Sequence, residues 1–160
     1  MGEKSSLIHL VVDGDYKTAC LEKTVTRHDN EANMDIVGLK VIIDGAEYMT
    51  PDNHYYMEGA VHALQKALPV NVKIACCQTC RHGNFDPFGD WDDKIYCLVN
   101  HNPNNKIDVC DIIVLDNAAT DNLLPRYELL HWCDKYKRIN MDEHYTYNDW
   151  EYYWGSSQEC

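Results

Sequence analysis

Long apolar runs are missing from this chain. No stretch approaches the roughly 18 apolar residues of a membrane-spanning helix, and the opening MGEKSSLIHLVVDGD reaches a polar turn too early for a secretory signal. Basic residues are scarce as well: 14 Lys and Arg stand against 26 Asp and Glu, for a net charge of −12. That balance argues against tracking a phosphate backbone, and so against direct nucleic-acid binding, and it suits a basic protein partner. The familiar catalytic signatures are absent too. There is no Gly-x-Ser-x-Gly elbow, no Gly-rich phosphate loop followed by Lys-Ser/Thr, and no His-Glu-x2-His. Without repeats, low-complexity tracts or a linker, the 160 residues are expected to form a single cytoplasmic domain away from any membrane. Within it, 1–75 is read as sheet and helix, 76–138 as a metal-stapled unit and 139–160 as an aromatic, acidic tail.

The first third alternates as strands do. LIHLVV ends at Asp13-Gly14 and DIVGLKVII ends at Asp44-Gly45, and Asp-Gly suits a two-residue hairpin turn because both positions need positive φ. KTACLEKTVTR serves as a strand between them, and HDNEAN reads as an exposed loop. Thr50-Pro51 then looks like a helix cap followed by a proline in the first turn. Met57, Ala60, Val61, Leu64, Ala67 and Leu68 follow along one helical face, and Pro69 stops the helix. VNVKIACC, KIYCLV and VCDIIVL read as further strands. PRYELLHWCDKYKR, near 125–138, reads as a second helix with Cys133 on its apolar side. The expected class is therefore α+β, an antiparallel sheet of hairpins packed against one or two helices, with a four-cysteine metal-stapled C-terminal half.

Cysteine is what the chain has in abundance, with eight in all, four of them within ACCQTCRHGNFDPFGDWDDKIYCL. Cytosolic thiols stay reduced, so a Cys-x2-Cys there signals a metal or redox site rather than a disulfide. Cys77 and Cys80 form such a knuckle, which supplies half of a tetrahedral zinc site. Cys97 is the natural third ligand. Cys76, His82, His101, Cys110 and Cys133 compete for the fourth place, His101 by its Cys-x3-His spacing from Cys97 and Cys133 by the packing of its helix. An isolated cysteine such as Cys20 reads instead as a small buried hydrophobe. Two other uses of Cys-x2-Cys fit less well. A thioredoxin-like dithiol needs its first cysteine at a helix N-terminus, whereas Arg81-His82-Gly83-Asn84 leads into a turn, although Arg81 and His82 are placed to lower a thiol pKa. A zinc deaminase needs His-x-Glu upstream and Pro before the knuckle, where this chain has His62-Ala63-Leu64 and Ala75-Cys76.

Cys77, Cys80, Gly83-Asn84, Pro87-Phe88-Gly89, Cys97 and Cys133 with Tyr136 three positions on together resemble the pattern of an uncharacterised family of small bacterial proteins. The resemblance spans the second half of the chain and departs from the family at Asp86. It implies Cys133 as the fourth ligand and no particular activity.

NFDPFGDWDD gathers Asp86, Asp90, Asp92 and Asp93, yet it lacks the spacing and terminal Glu of a calcium loop and reads as solvated. YTYNDWEYYW, from Tyr145 to Trp154, carries the large amphipathic side chains that anchor interfaces. The plainer expectation is that it folds back over the core and covers the knuckle. The reading as a whole is a protein held together by structural zinc on Cys77, Cys80, Cys97 and Cys133, acting as a binding or inhibitor protein of immunity or anti-defence type. The alternative is a small metalloenzyme or thiol enzyme that uses the same cluster.

Overall fold

Both Asp-Gly pairs sit where their chemistry places them. The computed structural model describes residues 4–27, 35–51, 53–89, 93–119, 121, 123–139, 147, 148 and 150. In it, Asp13 and Gly14 take φ of 53° and 93°, and Asp44 and Gly45 take 50° and 84°. Val12 lies opposite Asp15 and Ile43 opposite Ala46, which closes two tight hairpins. The strands they join are β1 (Lys4–Val12), β2 (Asp15–Arg27), β3 (Asp35–Ile43) and β4 (Ala46–Met49). The expected loop HDNEAN lies outside the described residues.

The chain divides into two compact units, Met1–Ala75 and Cys76–Cys160. In the first, α1 (Met57–Ala67) precedes β5 (Val72–Ala75), and the antiparallel sheet runs β4-β3-β2-β1-β5. Ile8, Leu10, Val12, Leu21, Val37, Leu39, Val41, Val72 and Ile74 are buried on one face, and Met57, Ala60, Val61, Leu64 and Leu68 are buried on and just past α1. Strand period two and helix period 3.6 thus meet in one core. The helix begins later than Thr50-Pro51 implied. The Thr50 hydroxyl accepts the Leu39 N–H at 3.2 Å and the Thr50 N–H donates to the Leu39 carbonyl at 2.9 Å, so the residue extends sheet pairing instead of capping α1. Tyr56 takes the N-cap position, with no capping bond from its side chain to the first turn. Cys20 is exposed, correcting the buried reading: its neighbour Leu21 faces the core, and alternation turns Cys20 to the other face, opposite Leu7.

The second unit opens with a 3-10 turn at Cys77–Thr79. A small antiparallel sheet follows, ordered β6 (Gly83–Asn84), β7 (Lys94–Cys97) and β8 (Arg126–Glu128). VCDIIVL is a helix rather than a strand: it lies in α2 (Lys106–Ala118), whose N-cap Asn105 accepts the N–H groups of Ile107 and Asp108 at 2.8 and 3.0 Å. PRYELLHWCDKYKR is not a helix. It gives β8 and then turns whose backbone bonds go to the knuckle. Tyr96, Leu98, Val109, Ile113 and Leu124 form a core cluster. The Tyr96 hydroxyl donates to Asn117 Oδ1 at 2.7 Å and accepts from Arg126, whose guanidinium lies 4.3 Å from the Tyr96 ring centroid. Among the described residues, no helix is long and apolar enough to cross a membrane.

Candidate functional site

The knuckle is built by close backbone bonding. Thr79 N–H donates to the Cys76 carbonyl at 3.0 Å, Cys80 N–H to Cys77 at 3.2 Å and Gly83 N–H to Cys80 at 2.9 Å, which coils 76–83 into successive tight turns. Segment 129–139 wraps this coil. The Cys77 and Gln78 N–H groups donate to the carbonyls of His131 and Leu129, that of Arg81 donates to Lys137, and that of Ile139 donates to Thr79, at 2.7, 3.1, 2.7 and 3.2 Å. Cys133 therefore reaches the knuckle on a turn, closed by Tyr136 N–H donating to the Cys133 carbonyl at 3.0 Å, and not on the expected helix. Cys97 ends β7 opposite Gly83. A close approach demands glycine there: a Cβ on Gly83 would stand 2.2 Å from the Cys77 carbonyl oxygen.

These bonds draw the sulfurs into one electrostatic neighbourhood. Burial pushes the Cys77 thiol well above its ordinary value, and Cys76, Cys80, Cys97 and Cys133 push in the same direction. Burial also raises Cys80 and Cys97, each aided by Cys133. Backbone amides oppose this, those of Lys137, His82 and Gly83 at the Cys80 sulfur and that of Val99 at Cys97. Amides aimed at sulfur are donors that stabilise thiolate over thiol. Cys76 is fully buried and pushed up to about 11 by desolvation. None of these is the depressed thiol of a redox dithiol: burial is the largest effect at Cys80, above the backbone amides that oppose it. As the side chains stand, no group of three or more His, Cys, Asp or Glu among the described residues is arranged to hold a metal ion. Of the competing residues, Cys76 and His82 belong to the knuckle coil itself, Cys110 is on α2, and His101 is exposed in the loop before it.

Sequence reasoning missed a polar lattice around the knuckle. The buried Thr79 hydroxyl accepts the Cys76 N–H at 3.1 Å and donates to the Cys76 carbonyl at 3.1 Å. With that proton committed, the Tyr136 hydroxyl, 3.0 Å away, is the donor to Thr79. Burial accordingly holds the Tyr136 phenol well above its usual range. Asn84 Oδ1 accepts the Tyr147 N–H at 2.8 Å, and Asn148 donates to the carbonyls of Gln78 and Gly83 at 2.8 and 3.3 Å. The described part of the aromatic tail thus lies over the knuckle, with Trp150 buried; Tyr145, Tyr152, Tyr153 and Trp154 fall outside the described residues. No local signal in the sequence marks this lattice, because asparagine is usually exposed and the partners lie far apart along the chain. Asp86 has a local role, its carboxylate accepting the Phe88 N–H at 2.8 Å in the turn that ends at Gly89. Positions 90–92 of the acidic loop are outside the described residues.

Comparison with protein-family models, with curated proteins and with solved structures gave no match.

Proposed function

We propose that this chain is a zinc-stapled binding protein of inhibitor type, with a structural ion held by Cys77, Cys80, Cys97 and Cys133 and an acidic surface that meets a basic protein partner. The observation that carries the proposal is the convergence of three cysteine-bearing segments on one coil, with backbone amides turned toward the sulfurs. Buried thiols that raise one another's pKa gain from a divalent cation, which binds them as thiolates and displaces their protons. Four protein ligands complete a tetrahedral structural site and leave no open position for chemistry. The cysteine pattern that resembles the small bacterial family is, on this reading, the pattern of the staple.

The binding role has separate support on α2. Ile107 and Leu115 are 70% and 71% exposed, with Asp111 between them on the same helical stripe. Exposed apolar residues among carboxylates are the mixed surface on which a basic, amphipathic partner docks.

Elemental analysis with thiol counting, on the parent and on Cys133→Ser and Cys110→Ser variants, tests the staple. The expected result is one zinc per chain, lost in Cys133→Ser and kept in Cys110→Ser. A metal-free parent with all its thiols titratable would overturn it.

A further inference from the structure

The five-stranded sheet of the first unit is finished at one end and open at the other. At β5 the buried Gln65 amide takes the Val72 carbonyl and the Ile74 N–H at 2.9 and 2.7 Å. β4 lies at the opposite end. Alternation fixes which of its groups point outward. Thr50 N–H donates to the Leu39 carbonyl at 2.9 Å, toward β3, so Tyr48 and Ala46 bond toward β3 as well, and the N–H and carbonyl groups of Glu47 and Met49 point away from it. Among the described residues, none bonds to those outward groups. We propose that the outer edge of β4 pairs with an extended segment of a basic protein, one that carries Lys or Arg at alternate positions. The proposal rests on the reading of this chain as a binding protein for a basic partner, and it gives that contact a form.

Side chains beside the edge set the chemistry of the segment. Glu22, Lys40 and Met49 form one cross-strand row, and Thr24 pairs with Gly38 on the same face. With Thr50 they frame a hollow of about 300 Å³, on the side of the sheet turned away from the buried Leu21 and Val41. Gly38 leaves that hollow unfilled, and a Cβ there would stand 2.6 Å from Thr24 Oγ1. The Lys40 ammonium reaches Glu22 at 2.5 Å and Glu47 at 3.8 Å, so two carboxylates share it, and the Glu47 side chain is 56% exposed. A Lys or Arg opposite Glu47 meets that carboxylate. A second one, opposite Met49, lays its aliphatic stem over the exposed thioether and points its head toward Glu22 in the hollow. An apolar residue between them falls on the other face, beside the half-buried Tyr48.

Charge also selects the occupant. A second copy of the chain would bring a further net −12 to the edge, whereas a basic segment is drawn to it. In strand addition, main-chain bonds supply the affinity and alternate side chains supply the choice of partner. The edge is set before any segment arrives. The Asp44-Gly45 turn closes the β3-β4 hairpin, and past β4 the Val37 N–H is taken by the His54 carbonyl at 2.7 Å, so β3 stays covered beyond the strand's end. Groups held in this way lose little freedom on binding.

The test is an amide NMR titration of the full chain with a short capped peptide of alternating Lys and Val. Saturable shifts centred on the Glu47 and Met49 amides are expected. The same peptide with its Lys backbone nitrogens methylated keeps the charge but loses the donors, and it should give none. Glu47→Gln should weaken binding by up to about fivefold, the worth of an exposed ion pair. Met49→Pro removes an outward donor and leaves the bonds of Ala46 and Tyr48 to β3 in place, and it should weaken binding by about tenfold. Equal binding of the methylated peptide, binding unchanged in both variants, or no saturable shift would overturn the edge. Shifts that fall on α2 and spare β4 would overturn it too, while leaving the reading as a binder of basic partners in place. A dimer seen by sedimentation of the peptide-free chain and lost in Met49→Pro would give the edge to a second copy, against the proposal.

Discussion

Gly83 does more for the cysteine-bearing unit than its size suggests. Its missing side chain lets β6 lie against the knuckle, where a Cβ would meet the Cys77 carbonyl oxygen at 2.2 Å and Ile95 Cδ1 at 2.9 Å. The carbonyl is backbone, bound into the coil, and has nowhere to retreat. Gly83→Ala is therefore expected to destabilise the protein by about 3 kcal/mol, the upper range for overpacking a tight site. Gly59→Ala, where the added carbon would meet only His54 Nδ1 at 3.4 Å within α1, should be neutral or stabilising by up to about 1 kcal/mol. Urea denaturation of both variants decides it, and equal midpoints would show that the close approach carries no weight. Gly83 was already part of the pattern legible in the sequence, but its reason was not. Only the register Gly83 opposite Cys97 reveals which backbone it must clear.

Among strands and helices, β5 shows how one side chain can finish a sheet. The strand pairs with β1 on one side, and on the other the buried Gln65 amide donates to the Val72 carbonyl at 2.9 Å and accepts the Ile74 N–H at 2.7 Å. A carboxamide thereby satisfies the groups that a further strand would have paired. Gln65→Leu keeps the bulk and removes both partners, and it should cost about 2–6 kcal/mol, from about 1–3 for each of the two buried groups left unpaired. Faster amide exchange at Ile74, alongside an earlier urea midpoint, is the expected signature; unchanged exchange there would mean that the amide is not the partner. Sequence showed the hairpins because Asp-Gly acts locally, and the face of α1 because it repeats. It misled at α2, whose β-branched run Ile112, Ile113 and Val114 imitates a strand, while the better clue was Asn105 before Ile107 and Asp108. It misled again past Pro125, where leucine and aromatic spacing imitated a helix. There the backbone's partners lie in β7 and then in 77–81, and distant pairing overrides local preference.

Charge belongs to the protein as a unit. A net −12 repels like surfaces and draws basic ones over roughly a Debye length, about 10 Å at 0.1 M salt and about 3 Å at 1 M. If α2 and the acidic surface dock a partner together, capture on the immobilised protein should fall steeply between those salt concentrations. Leu115→Ser should also weaken it without shifting the urea midpoint, since Leu115 lies outside the core. A bound protein indifferent to both salt and Leu115→Ser would argue for another surface. The strand order β4-β3-β2-β1-β5 carries a further meaning, in time rather than in space. The first four strands form a meander of neighbours, so each hairpin is able to close as soon as its second strand has left the ribosome. β5 must instead find β1, with Val72 reaching back to Val12, after β2, β3, β4 and α1 have all been made. Such a long closure is slow relative to the hairpins and comes last. Substitutions in β5 will on this account hasten unfolding more than they delay folding, and the nascent chain waits with one edge of its sheet open until that strand emerges.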